Sequence, residues 1–206
     1  MAAAALRALG PLNTAEGLAL LQRAMRAEST KVRLSGVAGL AADGGDAAVA
    51  SLAWLAGADA QPVVNDAAID ALAEVAASAR PGAEAAIDAL IDLQALARRA
   101  EAASAALCHL GSSHLSAIAR GLTHPQIDVR RRTVDTLARM RAVAATRLVL
   151  QALDDEAAAV RETAVRALAR LGARGTVARV HALAQHDPSK AVRRAAADAL
   201  GRLPRE

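Results

Sequence analysis

Apolar and polar positions follow a helical period that restarts about every 31 residues. Counting Val160 as zero, apolar residues fall at 0, +4, +5, +8 and +11, namely Val160, Ala164, Val165, Leu168 and Leu171. At about 100° per residue these positions share one wedge of a helix. The register returns from Val192 with Ala196, Ala197, Leu200 and Leu203, and from Val129 with Thr133, Val134, Leu137 and Met140. Upstream it returns from Val32 with Val37 and Leu40, and from Val64 with Ile69, Leu72 and Val75. A degenerate copy starts at Arg99 and keeps Ala103, Leu107, Leu110 and Gly111. The starts are 32, 64, 99, 129, 160 and 192, at intervals of 32, 35, 30, 31 and 32.

A second amphipathic stretch precedes each of these helices, at 14–25, 46–56, 83–93, 113–122, 143–153 and 173–185. Pro62, Pro125 and Pro188 stand where the second helix should begin, a position that tolerates a missing N–H. Gly111 and Gly172 stand where second helices should end in a left-handed cap. Each unit therefore reads as a helix–turn–helix pair that buries its face only against its neighbours. Residues 1–206 read as one domain, with six repeats from about 12 to 203. Residues 1–11 resemble the last half of a second helix, with Leu6, Leu9 and Gly10 in register, and should cap the first full unit. The last residues, Leu203-Pro-Arg-Glu206, show no distinct polar cap, which leaves self-association through the C-terminal repeat open.

Composition agrees with an all-α chain. Alanine supplies 59 of 206 residues, Phe and Tyr are absent, and Trp54 is the lone aromatic. Ala, Leu, Arg and Glu favour helix, and the residues that line sheets are scarce. Cys108 is alone, so an intramolecular disulfide is excluded. The N-terminal run lacks a basic region before its apolar stretch, and the longest apolar stretch, 47–58, is too short to span a bilayer. A cytoplasmic protein without membrane contact is the expectation. Net charge is +4, but residues 1–103 carry 8 basic and 12 acidic side chains, whereas 104–206 carry 17 and 9.

The run from Asp155 through Val160, Arg161, Ala164, Val165 and Leu168 to Leu171-Gly172, and its echo from Asp187 to Leu203, resembles the HEAT-like repeat, in the subtype first named for phycobilisome lyases. The resemblance implies a right-handed α-solenoid of about six stacked antiparallel helix pairs, used mostly as a protein-binding scaffold. It also implies a structural role for the motif's Asp and Arg, as a ladder tying adjacent turns together. Asp59, Asp155 and Asp187 match the acid position, and Arg33, Arg130, Arg161 and Arg193 the basic one. Asn65 and Ala100 depart from it, so the ladder should break in mid-chain.

The outward positions of the second helix are +2, +6 and +10, which in a solenoid of this type face the inner, concave surface. Unit two places Asp66, Asp70 and Glu74 there. Unit four places Arg131, Asp135 and Arg139, unit five Glu162, Arg166 and Arg170, and unit six Arg194, Asp198 and Arg202. A partner-binding face running from acidic to basic follows. The alternative is a merely solvated face, because Asp135–Arg139, Glu162–Arg166 and Asp198–Arg202 are acid-first i, i+4 pairs. Arg131, Arg170 and Arg194 lack an obvious local partner.

Other clusters carry less. The triplet Arg130-Arg131-Arg132 points in different directions around a helix, which weakens phosphate binding through it. Cys108, His109, His114 and His124 match no zinc spacing, and His181 and His186 are five apart. Trp54, between Leu52 and Leu55, reads as core. Gly172–Gly175 is a turn lacking the Lys-Ser/Thr of a phosphate loop. No nucleophile, base and orienting acid form a motif, so neither an enzymatic role nor a cofactor or metal is expected. The leading expectation is a scaffold that holds a protein partner. Nucleic-acid backbone binding by the basic half is the alternative, since some HEAT-like solenoids act on DNA as alkylpurine glycosylases, although stacking platforms are missing. A chromophore-lyase-like role is a further alternative that only the repeat type suggests. HEAT-like di-iron hydroxylases carry His-Glu pairs, and this chain contains no His-Glu dipeptide.

Overall fold

The structure, a computed structural model, describes residues 2–12 and 14–203. Met1, Asn13, Pro204, Arg205 and Glu206 lie outside the described residues, and with them the expectation about a C-terminal cap. Helices and short 3-10 turns make up the ordered elements, and no strand occurs among the described residues. None of the described helices is long and apolar enough to cross a membrane. The chain groups into two units, Met1–Leu110 and Gly111–Glu206.

The first unit contains α1 (Ala2–Leu9), α2 (Ala15–Ala24), α3 (Thr30–Asp43), α4 (Asp46–Ala58), α5 (Pro62–Ala76), α6 (Ala83–Leu93) and α7 (Ala100–His109). Each first helix packs on the second helix of its pair, α2 on α3, α4 on α5 and α6 on α7. The second helices also pack on one another in order, α3 on α5 and α5 on α7. Helix α1 packs on α3 as a preceding second helix would, which fits its expected capping role. Thr14 starts α2, its hydroxyl accepting from the Gly17 N–H at 3.1 Å.

The second unit contains α8 (Leu115–Ile118), α9 (Ile127–Arg139), α10 (Val143–Gln151), α11 (Ala158–Leu171), α12 (Val177–His186) and α13 (Lys190–Leu200). Its second helices, α9, α11 and α13, lie side by side. The fourth first helix is not the continuous helix expected. Only Leu115–Ile118 is α-helical, between 3-10 turns at Ser112–His114 and Ala119–Thr123.

The wedge that defines the repeat is the core. Val64, Ala68, Ile69, Leu72 and Val75 are buried, as are Val129, Thr133, Val134 and Leu137, and Val160, Ala164, Val165 and Leu168. On α13 the wedge is incomplete, because Ala197 is exposed. Pro62 begins α5 as expected, but α9 and α13 start two residues after Pro125 and Pro188, which form the preceding turns. Gly172 ends α11 in the left-handed conformation, φ 58° and ψ 39°. Gly111 follows the last residue of its helix cap, with φ 79° and an extended ψ of 178°. Gly39 has a separate reason: a Cβ there would lie 2.3 Å from Leu21 Cδ2 and 2.6 Å from the Leu6 carbonyl oxygen. Its missing side chain is what lets α1 and α2 close on α3.

Candidate functional site

The motif's polar residues form the expected ladder, with a uniform geometry. Arg33, Arg130 and Arg161 each use Nη1 to donate to two carbonyls of the turn before their own helix. Nε and Nη2 then donate side by side to the aspartate of the next pair's turn. The distances are 2.7 and 3.1 Å for Arg33–Asp59, 2.8 and 3.0 Å for Arg130–Asp155, and 2.8 and 3.0 Å for Arg161–Asp187. Each aspartate also caps a backbone N–H two residues on, at Gln61, Ala157 and Ser189. Burial raises the Asp155 pKa, but the hydrogen bonds from Arg130 and the Ala157 N–H, with the charges of Arg130 and Arg161, outweigh it and hold the carboxyl below its usual value. Asp187 is likewise lowered, first by the Arg161 hydrogen bonds, against burial, with help from the Ser189 N–H. Arg130 and Arg161 are raised above their ordinary value by the same bonds.

The Arg–Asp series is interrupted at Asn65 and Ala100 as expected, but at Asn65 other polar groups fill the gap. Asn65 donates through Nδ2 to the carbonyls of Leu55 and Asp59, at 2.8 and 3.2 Å, and accepts from Arg99 Nη2 on its Oδ1. A neutral amide thus replaces the cation, and Arg99 reaches Asn65 from one position ahead of Ala100. An amide can stand there because it both donates and accepts, although Arg99 Nε is left buried with no partner.

The outward stripe lies where the spacing places it. On α5, Asp66, Asp70 and Glu74 are exposed, and Glu74 lies 3.7 Å from Arg80. On α9, α11 and α13, Arg139, Arg166, Arg170, Arg194 and Arg202 are exposed and Arg131 is half-buried. Glu162 pairs with Arg166 at 2.6 Å, as expected. One expectation is corrected, at Arg131, and a pair that spacing along one helix does not show is added. Arg131 pairs with Asp128 at 3.2 Å, one turn back, and Arg170 reaches across to Asp135 of α9 at 2.6 Å. Asp135 and Arg170 meet because α9 and α11 present their stripes to the same side. The pair Asp198–Arg202 is not formed, and among the described residues neither Arg194 nor Arg202 meets a carboxylate. The unneutralised cations of the stripe therefore gather on α13, where Lys190 and Arg194 face Glu162 and Arg166 of α11 across a groove of about 560 Å³.

The remaining candidates separate. His109 is exposed, with Nδ1 2.8 Å from the Ala105 carbonyl. Among the described residues no three His, Cys, Asp or Glu are grouped to hold a metal. Arg130 leaves the basic triplet for the ladder. Trp54 is not core but 54% exposed. It lies about 200° around α4 from the buried Leu52, on the same side as Ala47, Ala50 and Ala58, whose exposed methyls are too short to cover it.

The family described as HEAT repeats matches residues 146–206. No curated protein matches the chain. Among solved structures, a chain in a structure of microtubule plus-end tracking by XMAP215, CLIP-170 and EB1 superposes with a TM-score of 0.54 at 16% identity, covering 88% of each chain. Human deoxyhypusine hydroxylase aligns with a TM-score of 0.47 at 21% identity, over 97% of this chain and 78% of that one. The CpcE–CpcF complex of phycocyanin lyase from Nostoc aligns with a TM-score of 0.41 at 20% identity, over 96% of this chain and 80% of that one. The first of these likenesses shows a shared helical-repeat fold, and residues 146–206, which include the Asp155 and Asp187 motifs, match the HEAT-repeat family.

Proposed function

We propose that this chain is a non-catalytic scaffold, and that the second-helix face of α9, α11 and α13 holds a protein partner through acidic side chains. The observation that carries the reading is the excess of exposed cations on α13. Lys190, Arg194 and Arg202 meet no carboxylate among the described residues, whereas Arg131, Arg166 and Arg170 do. Exposed charges left without partners keep their field for an incoming surface and steer its approach. The groove between α11 and α13 gives that surface relief as well as charge. In the first unit the same stripe is acidic at Asp66, Asp70 and Glu74, and there it would take basic groups.

The test is quantitative affinity capture with the natural chain and with Arg194→Glu/Arg202→Glu. Both residues are exposed, so circular dichroism should not change. The reading expects the captured partner to fall at least tenfold, and unchanged capture overturns it. Duplex DNA is the competing occupant of the same cations. An anisotropy titration that shows tight, steeply salt-dependent binding to DNA would move the assignment there.

A further inference from the structure

Two features of the first helices and their turns belong neither to the ladder nor to the stripe. One is the apolar spot at Trp54. Leu96, 43% exposed, lies against α4 at Gly57, where a Cβ would stand 3.3 Å from Leu96 Cδ1. Gly57 is one turn along α4 from Trp54, so Leu96 reaches the side of the helix that carries the indole. Ala50 and Ala58, one turn to either side of Trp54, leave its ring open. The surroundings are acidic. Asp46 on α4 and Glu84, Asp88 and Asp92 on α6 are exposed, against Arg98 as the exposed cation of α4, α6 and the turn that follows. The other feature is the turn between α9 and α10. Twelve residues after the starts at 32, 99, 129 and 160 stand Gly44, Gly111, Arg141 and Gly172, with φ of 65°, 79°, 52° and 58°. Three units thus meet this backbone with glycine, and one meets it with arginine at a steric cost. A Cβ at Gly111 or Gly172 would have nothing within 4 Å, so the position opens outward. Arg141 is exposed, and its side chain meets no carboxylate among the described residues. Val143, two residues on, is 92% exposed. Arg147, one turn further on the same face of α10, is exposed and likewise without a carboxylate. Helix α10 itself holds no acidic residue.

We propose that Trp54 and Leu96 are the docking site for the α9–α10 turn of a second copy of this chain. Val143 covers the apolar pair, and Arg141 and Arg147 approach the indole face and the carboxylates of α4 and α6. Charge complementarity selects this occupant. The apolar spot is acidic in its surroundings and needs a cationic partner with an aliphatic tip, which the Arg141–Val143–Arg147 face supplies. A guanidinium over an indole adds attraction that an aliphatic pair alone lacks, and Trp and Arg are the residues on which contacts of this kind concentrate. The contact joins unlike surfaces, and each copy carries one of each. None of its residues belongs to the second-helix stripe, so it stands or falls separately from the charged face.

The experiment is sedimentation velocity of the full chain at low salt over a range of concentrations, with two variants. Trp54→Ala removes the apolar site, and Arg141→Gly/Arg147→Glu removes the cationic turn. Circular dichroism checks that both fold; Arg141→Gly relieves backbone strain, so association lost with it is not fold lost. Leu96→Ser, also at an exposed position, should act as Trp54→Ala does. The expected result is reversible self-association of the natural chain that weakens with added salt and falls at least tenfold in either variant. Mixing the two variants should restore a one-to-one complex, because one still offers the turn and the other the apolar site. A natural chain that stays monomeric at millimolar concentration overturns the proposal, as do variants that associate like the natural chain or a mixture that fails to recover. Binding to vesicles of anionic phospholipid by a chain that stays monomeric, abolished by Arg141→Gly/Arg147→Glu, also overturns it and gives the turn to a membrane.

Discussion

At the scale of residues, the ladder and the stripe are the same chemistry in two environments. Arg161 and Asp187 pair with 12% and 2% of their side chains exposed, whereas Arg170 and Asp135 pair with 51% and 40%. A desolvated, two-pronged pair leaves a costly orphan when one partner is removed, while an exposed pair is screened by water. Asp187→Ala should therefore lower unfolding free energy by about 3 kcal/mol, and Asp135→Ala by less than about 1 kcal/mol, in urea titrations. Acid should act through the same carboxylates. Asp155 and Asp187 sit below the ordinary value of 3.8, so the unfolded chain binds more protons than the folded one. Their contribution is complete above that value and disappears as pH falls through the lowered folded values. Urea midpoints should drop between pH 5 and pH 3, and Asp187→Asn should flatten that drop. Arg141, at φ 52°, is the non-glycine residue with positive φ among the described residues. Arg141→Gly should raise the thermal midpoint, with a gain of up to about 1 kcal/mol. The ladder was legible because Asp and Arg recur at fixed offsets. The Asn65–Arg99 rung was not, because its residue types differ from the motif, and Arg170–Asp135 was not, because the pair crosses between helices.

At the scale of elements, the 0, +4, +5, +8, +11 wedge marked the second helices, with only a degenerate copy in α7, since burial against neighbouring helices imposes the same period. Its failure at Ala197 follows from α13 having no further described helix against that side. The first helices were less legible. In the fourth, Gly111 upstream and Gly121 within break the stretch into turns, and the apolar count alone does not register that cost. Trp54 was misplaced for a related reason. Apolar neighbours on both sides of it in sequence mean little when three of every four residues of α4 are apolar, and its angle from Leu52 was the better guide. Gly39 marks a packing constraint that periodicity does not express. Gly39→Ala should force α1 and α2 away from α3 and lower stability by about 1–3 kcal/mol, with the loss seen as faster hydrogen exchange in α1 and α2.

At the scale of the whole molecule, alanine richness and a basic second half are both visible in composition, and they bear on function differently. Small side chains let helix pairs close on one another in each unit. The charge excess matters only where pairing leaves it free, and along the second-helix stripe of the second unit it is left free on α13, as it also is at Arg141, Arg147 and Arg174 outside that stripe. That distinction turns an average of +4 into a located surface. The chain's lysines, Lys31 and Lys190, fall in different units, and Lys190 lines the α11–α13 groove. Zero-length carbodiimide cross-linking of the captured partner, read by mass spectrometry, therefore tests the proposed face most directly. The account predicts an amide between Lys190 and an aspartate or glutamate of the partner. Cross-links at Lys31 with none at Lys190 would contradict it.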